Sequence, residues 1–184
     1  MNLQHLGIDR TWTLFLDRDG VINRRIVDGY VRTWDQFEFL PGVPEAIKLF
    51  HLKFGRIVVV SNQQGVGKGL MHDEEVQSIH HRMMEEIKKT GGKVDVVFYS
   101  PHLQSERSVM RKPNVGMALK ARKQFHELNF RRSLMAGDSL SDMIFGKRVG
   151  MKTVLISHCN DLAKRHPLQI DYVYPDLISL AHAL

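Results

Sequence analysis

Leu14-Phe15-Leu16-Asp17-Arg18-Asp19-Gly20-Val21-Ile22-Asn23 is the stretch that organises this chain. An apolar run with the character of a buried strand stops on two aspartates one residue apart. In an extended backbone, residues i and i+2 point to the same side. Asp17 and Asp19 therefore both look past the carboxyl end of the strand, where open α/β sheets bind their ligands. Two carboxylates held this close repel each other unless a cation lies between them or one takes a proton. Mg²⁺ resolves that conflict, because it prefers oxygen ligands and keeps water or phosphate in its shell. Gly20 lets the chain turn sharply. Read alone, the pair fits solvated turn residues equally well, so the rest of the chain decides.

A chain of 184 residues is expected to form a single domain over 1–184 with a real core. Its hydrophobic fraction of 43% and charged fraction of 25% are those of an ordinary soluble globular protein. No apolar run approaches the ~20 residues that cross a bilayer, and no membrane partner is expected. The opening Met1-Asn2-Leu3-Gln4-His5 lacks the basic and then apolar layout of a signal peptide. A lone cysteine, Cys159, can form neither an internal disulfide nor a thiolate metal site. A reducing, cytoplasmic location fits that usage. The net charge of +6 invites a nucleic-acid reading. The basic residues are scattered, however, in pairs such as Arg24-Arg25, Lys88-Lys89 and Arg131-Arg132, with no basic helix or nucleic-acid-binding motif. Attraction of small anions such as sugar phosphates is the simpler use of the charge.

Strand-like runs alternate with helix-like ones, and no repeat or low-complexity segment interrupts them. Strands are expected over 13–16, 57–61, 94–99, 133–136, 153–156 and 172–174, several of them apolar throughout, as strands covered on both faces are. Helices are expected over 43–53, 73–90, 114–128 and 139–149. The second is expected to start on Asp73 as N-cap, and its charge order, Glu74 and Glu75 first and Lys88 and Lys89 last, suits the helix dipole. The fourth opens with Ser139 and Asp142 in a capping-box arrangement. Together these predict an α/β fold, a three-layer Rossmann-like parallel sheet with helices on both faces and right-handed connections. The gaps between strands are too short for a separate cap domain, so an open site covered by loops such as 22–36 is expected.

Three further strand ends carry polar chemistry. The run 58–60 leads into Ser61-Asn62-Gln63-Gln64-Gly65, where a hydroxyl, amides and backbone N–H groups suit phosphate oxygens. The loop after Tyr99 leads to Arg111-Lys112-Pro113, two cations fit to face an anion. The run 134–136 leads into Gly137-Asp138-Ser139-Leu140-Ser141-Asp142, one acid at the strand end and a second one turn into the next helix. Gly65-Val66-Gly67-Lys68-Gly69 lacks the Ser or Thr after Lys of a P-loop and is expected to be a flexible loop. His80-His81, adjacent on a helix, diverge too far to chelate together; a partly buried His81 or a solvated His80 is expected, with Met83, Met84 and Ile87 in the core.

In their order, Asp17-Arg18-Asp19-Gly20-Val21, Ser61-Asn62, Lys112-Pro113 and Gly137-Asp138 with Asp142 resemble the four motifs of the haloacid dehalogenase-like (HAD) phosphatase superfamily, over nearly the whole chain. A closer resemblance, carried by 15–23, Gly29-Tyr30-Val31, Phe39-Leu40-Pro41-Gly42-Val43, Val60-Ser61-Asn62-Gln63 and Arg111-Lys112-Pro113, is to the D-glycero-D-manno-heptose 1,7-bisphosphate phosphatase branch, with histidinol-phosphate phosphatases as near neighbours.

The resemblance implies a Mg²⁺-dependent phosphatase of a phosphorylated small molecule, acting through an aspartyl-phosphate. Asp17 would be the nucleophile and Asp19 the general acid and base. Asp17, Asp138 and the backbone carbonyl of Asp19 would hold the metal. Ser61, Asn62, Gln63 and Lys112 would hold the phosphoryl group. Arg111 would meet the remote phosphate or sugar, or be a surface arginine. Asp142 would orient Lys112 or the metal's water shell, or simply cap its helix. Close relatives carry a zinc loop of Cys-x-His and Cys-x-Cys before the Arg-Lys-Pro; here Ser100 stands at the first Cys, His102 remains and the paired cysteines are missing, so no structural zinc is expected. The heptose substrate is the leading reading, with histidinol phosphate or another small phosphomonoester, a nucleic-acid 3′-phosphate and an inert binding protein behind it. A monomer or small homo-oligomer is expected.

Overall fold

Leu14 and Leu16 of the first strand, β1 (Thr13–Leu16), turn to one face of the sheet and Phe15 to the other, and each face is sealed by its own apolar cluster. The same alternation runs through β2 (Arg56–Asn62), where Ile57 and Val59 oppose Val58 and Val60, and through β4 (Ser133–Gly137), where Leu134 and Ala136 oppose Met135. With β3 (Val96–Ser100), β5 (Lys152–Ile156) and β6 (Tyr172–Tyr174), these make a six-stranded sheet in the order β3-β2-β1-β4-β5-β6. Every pairing is parallel. The computed structural model describes residues 3–184; the first two residues of the opening segment read above for a leader lie outside the described residues.

One face is covered by α1 (Val43–Lys53), α3 (Asp73–Lys89) and α7 (Leu177–His182), which contribute Ile47, Phe50, Ile79, Met83 and Leu180 to the larger cluster. The other is covered by α4 (Gly116–Gln124) and α5 (Leu140–Arg148), through Met117, Ala121 and Phe145. Burying one such Ile, Phe or Met stabilises the fold by about 1.5–3 kcal/mol. The three-layer α/β architecture is therefore the one expected. The crossovers carry short helices, among them α2 (Gln64–Gly67), and loops, with no additional sheet among the described residues. No helix among the described residues is long and apolar enough to cross a membrane.

The strand order reverses beside β1: the chain steps outward to β2 and β3, then returns to place β4 on the other side. That reversal opens a crevice at the carboxyl ends of β1 and β4. Asp17 N donates to Ala136 O at 3.0 Å, so the ladder continues one residue past β1 and seats Asp17 at the seam.

Several local expectations need correction. α3 is capped by His72, whose backbone N–H donates to Glu75 Oε2 at 2.6 Å, and not by Asp73. Asp73, in the first turn, instead accepts the Tyr99 hydroxyl at 2.6 Å. His80 is the buried histidine and His81 the exposed one, the reverse of the expectation, because position 80 follows Val76 by four on the sheet-facing stripe. The helix expected over 114–128 covers only Gly116–Gln124. At its start Asn114 is held in a turn by Arg111 O, and at its end Phe125 leaves helical geometry and packs on the second cluster. The glycine-rich segment after Gln63, expected to be a loop, starts with α2. α6 (Asp161–Arg165) and α7 were not expected either.

Candidate active site

Asp17, Asp138 and Asp142 bring carboxylate oxygens within 4.8 Å of one another. Asp17 comes from the end of β1, Asp138 from the residue after β4, and Asp142 from the first turn of α5. Gly20 makes this approach possible: its φ is +90°, and a Cβ there would stand 2.0 Å from Asp138 Oδ2. Lys112, from the loop before α4, enters the cluster as its buried cation. Its Nζ donates to Val60 O at 2.7 Å and pairs with Asp17 Oδ1 at 2.8 Å and Asp142 Oδ1 at 2.6 Å.

The carboxylates outnumber that cation. Burial, then the neighbouring Asp142, push the Asp17 carboxyl up to about 7 against the pull of Lys112. Burial raises Asp138 to about 6, opposed by Arg25. Burial opposes the charge on Lys112, but Asp142 and Asp17 more than restore it, and its pKa is raised. An all-oxygen cluster in which Asp17 and Asp138 hold their protons more readily than ordinary carboxylates has the donor set and the unmet demand of a hard divalent cation site.

Asp19 leaves the same strand end in a different environment. Burial opposes its ionisation, yet Arg18, Asn23 and Gln63 together hold its carboxyl below the usual range. The Arg18 guanidinium, wholly buried, bonds both Asp19 oxygens at 2.9 Å. Asn23 Nδ2 donates to Oδ1 at 2.9 Å, and Gln63 Nε2 donates to Oδ2 and to Ser61 Oγ, each at 2.7 Å. Behind Arg18, its Nη1 lies 2.9 Å from His80 Nε2. Burial, and then the Arg18 charge, lower the His80 pKa to about 3, so the ring is neutral and its Nε2 accepts.

Of the residues expected from sequence, Asp17, Asp19, Ser61, Asn62, Arg111 and Lys112 share one open cavity of ≈520 Å³. Asp138 is outside that lining and instead lines a second cavity of ≈480 Å³ with Gly20 and Val21; its carboxylate reaches the first through Asp17 and through Arg25 of the lining. Gln63 is buried outside the lining, and its Nε2 bonds Asp19 Oδ2 and Ser61 Oγ. The Asn62 side chain holds Lys112 by its backbone, Oδ1 accepting Lys112 N at 3.0 Å and Nδ2 donating to Lys112 O at 3.1 Å. Asp142 has two sets of partners: Oδ1 meets Lys112 Nζ, and Oδ2 accepts Ser139 N at 3.1 Å and Ser139 Oγ at 2.6 Å. Arg111 is half-buried on the cavity wall and tied to His102 O at 3.2 Å. Ser100 Oγ, at the end of β3, and His102 Nδ1, in the loop that follows, stand 3.1 Å apart.

Sequence reasoning missed four residues here. Tyr30 and Lys68 line the cavity, with Lys68 Nζ 5.4 Å from the Tyr30 ring centroid. Arg25 Nη2 bridges Asp138 Oδ1 at 2.8 Å and Asp19 O at 3.1 Å. His80 supports Arg18. Only the Gly29-Tyr30-Val31 segment carried a signal, through the family resemblance.

Three comparisons bear on this geometry. A family model described as HAD-hydrolase-like matches residues 109–180. A D-glycero-alpha-D-manno-heptose-1,7-bisphosphate 7-phosphatase of Mycobacterium bovis is 45% identical over 132 residues, 72% of this chain and 70% of that protein. The enzyme of the same name from Campylobacter jejuni is 35% identical over 80% of this chain and 83% of its own length. Among solved structures, a D,D-heptose 1,7-bisphosphate phosphatase from B. bronchiseptica complexed with magnesium and phosphate superposes with a TM-score of 0.81 at 28% identity, covering 93% of this chain and 96% of that one. This chain is a phosphatase of the haloacid dehalogenase-like hydrolases and belongs to their heptose bisphosphate phosphatase branch.

Proposed function

We propose that this phosphatase removes the 7-phosphate of D-glycero-α-D-manno-heptose 1,7-bisphosphate through an aspartyl-phosphate on Asp17, in a single domain over 1–184, in the cytoplasm, with Mg²⁺ and no structural zinc. The observation that carries the reading is the cavity itself. Asp17, Ser61 and Lys112 form one end suited to a phosphoryl group, and Lys68 and Arg111 supply positive charge elsewhere in the same lining for a second. The relatives named above act on a bisphosphorylated heptose, and the α anomer belongs to the two most similar of those described.

Asp17 attacks the phosphorus in line and takes the phosphoryl group, splitting one displacement into two. Lys112 neutralises the phosphate oxygens beside Asp17, and Asn62 fixes its position. The dianionic phosphate next to Asp19 opposes that carboxylate's charge and favours the proton it passes to the leaving sugar oxygen. Asp19 then takes a proton from the water that hydrolyses the acyl phosphate. Mg²⁺, held by Asp17, Asp138 and the Asp19 carbonyl, would supply charge screening between carboxylate and phosphate.

The test is phosphate release, with Mg²⁺ and with EDTA, from both anomers of heptose 1,7-bisphosphate, fructose 1,6-bisphosphate, histidinol phosphate and a 3′-phosphorylated oligonucleotide. The expected result is a Mg²⁺-dependent preference for the α heptose anomer. Even, weak activity across the panel retains the phosphatase chemistry and rejects the substrate.

A further inference from the structure

Arg25 stands where a second cation is needed. Its Nη2 donates at once to Asp138 Oδ1 at 2.8 Å and to the backbone carbonyl of Asp19 at 3.1 Å. These are two of the three groups assigned above to the metal. The side chain is half exposed, against 16% exposure for Asp138, so the guanidinium has open solvent to move into. Its Nε lies 3.5 Å from where a Gly20 Cβ would be, so the missing side chain at position 20 also leaves room for the guanidinium.

A guanidinium and a divalent cation cannot occupy the same oxygen lone pairs, and two positive charges at contact distance repel. Arg25 also lines the main cavity, together with Tyr30, Lys68 and Arg111. We propose that Arg25 is an exchangeable cation: it clamps Asp138 and the Asp19 carbonyl while no metal is bound, is displaced by the divalent ion, and then meets an anionic group of the substrate remote from the reacting phosphate. Metal and bisphosphate binding are thereby linked, because the ion frees an arginine that the substrate uses. The neighbouring Arg24 has no such role; it pairs with Glu38 on the surface at 2.8 Å. This inference rests on the proposed metal site.

The experiment titrates Mn²⁺ into the metal-stripped full chain and reads free ion by electron paramagnetic resonance. Arg25→Ala and Arg25→Gln are expected to bind Mn²⁺ about three- to fivefold more tightly than the unaltered chain, the scale of a half-exposed ion pair removed. Arg24→Ala is expected to bind as the unaltered chain does. In the same Arg25 variants, the ratio of KM for the heptose bisphosphate to KM for p-nitrophenyl phosphate is expected to rise about tenfold. Thermal unfolding of both Arg25 variants checks that the fold is retained. Equal Mn²⁺ affinity in the Arg25 variants and the unaltered chain overturns the inference and leaves the metal site standing. Tighter Mn²⁺ binding with an unchanged KM ratio overturns the hand-over to substrate. No Mn²⁺ binding to the unaltered chain overturns the metal site and the inference with it.

Discussion

Asp142 Oδ1 lies 2.6 Å from Lys112 Nζ, with both side chains withdrawn from water, while Oδ2 of the same carboxylate accepts Ser139 N and caps α5. One side chain thus ties the end of β4, the start of α5 and the cation that serves Asp17. The helix cap fixes the carboxylate, and the carboxylate fixes the cation.

Asp142→Asn removes the charge and keeps an acceptor for the cap. Lys112 keeps Asp17 and Val60 O as partners, so the loss is that of a buried charged hydrogen bond, about 1–3 kcal/mol, to be read from denaturant unfolding. Misplacing Lys112 should lower kcat/KM by about 10²-fold. Asp142→Ala should lose about 1 kcal/mol more, because the cap goes too.

Asp17→Asn should abolish turnover, by at least about 10⁴-fold, as loss of a covalent nucleophile does. The amide is close to isosteric and removes a charge that Asp142 and Asp138 oppose, so the circular dichroism spectrum should not change. Full activity in this variant would sink the mechanism.

The carboxyl cluster sets a pH dependence. Asp17 at about 7 and Asp138 at about 6 both exceed the unfolded value of 3.8. The folded, metal-free protein therefore holds more protons than the unfolded chain between those limits. The stabilisation is fully present below about pH 4 and is lost as pH rises through about 6 to 7. A divalent ion replaces those protons, so the Mg²⁺-dependent rise in unfolding temperature should grow from about pH 5 to about pH 8. Differential scanning fluorimetry with Mg²⁺ and with EDTA reads it directly, and a pH-independent increment would contradict the assignment of the cluster.

His80 is expected to act as a positioning residue, on Asp19 through Arg18. His80→Phe leaves a buried guanidinium N–H without an acceptor, at about 1–3 kcal/mol or more, and loosens the hold on Asp19. The acidic limb of the kcat pH profile should shift as the Asp19 carboxyl loses its fixed partners. His80→Gln, which restores an acceptor, should recover most of the loss. A pH profile unmoved in His80→Phe, with only stability reduced, would reduce His80 to packing.

The loop from Ser100 to Met110 should hold no zinc. It offers His102 with Ser100 beside it, and the lone Cys159 is exposed beyond β5. Elemental analysis of the purified chain is expected to return no stoichiometric zinc; one equivalent, lost on Ser100→Ala with His102→Ala, would refute it.

Much of the fold was legible because its signals are local. The runs at 13–16 and 172–174 mark strands to the residue: Leu14-Phe15-Leu16 is apolar throughout, as a strand buried on both faces needs to be, and Tyr172-Val173-Tyr174 is β-branched and aromatic, as suits a half-buried edge strand. Asp17, Asp19, Ser61 and Asp138 were legible because each sits at or near a strand end, where chain direction dictates which way it faces; Lys112, in a loop twelve residues beyond β3, was legible through the Arg111-Lys112-Pro113 motif. Helix ends were less so. The cap of α3 at His72 rests on a hydrogen bond to Glu75, and the early exit of α4 at Phe125 rests on packing against a cluster built from β2 and β3, far away in sequence.

The sequence by itself determined the alternation of strands and helices, the two aspartates after β1 and the all-oxygen character of the cluster. These follow from backbone periodicity and side-chain chemistry within a few residues. Only the tertiary structure decided how partners far apart in the chain meet: Arg25 against Asp138, His80 behind Arg18, Gln63 against Asp19, and Asp142 shared between a helix cap and Lys112. Such contacts depend on the reversal of strand order at β1 and on burial. Those two set which charges lose water and which neighbours must replace it.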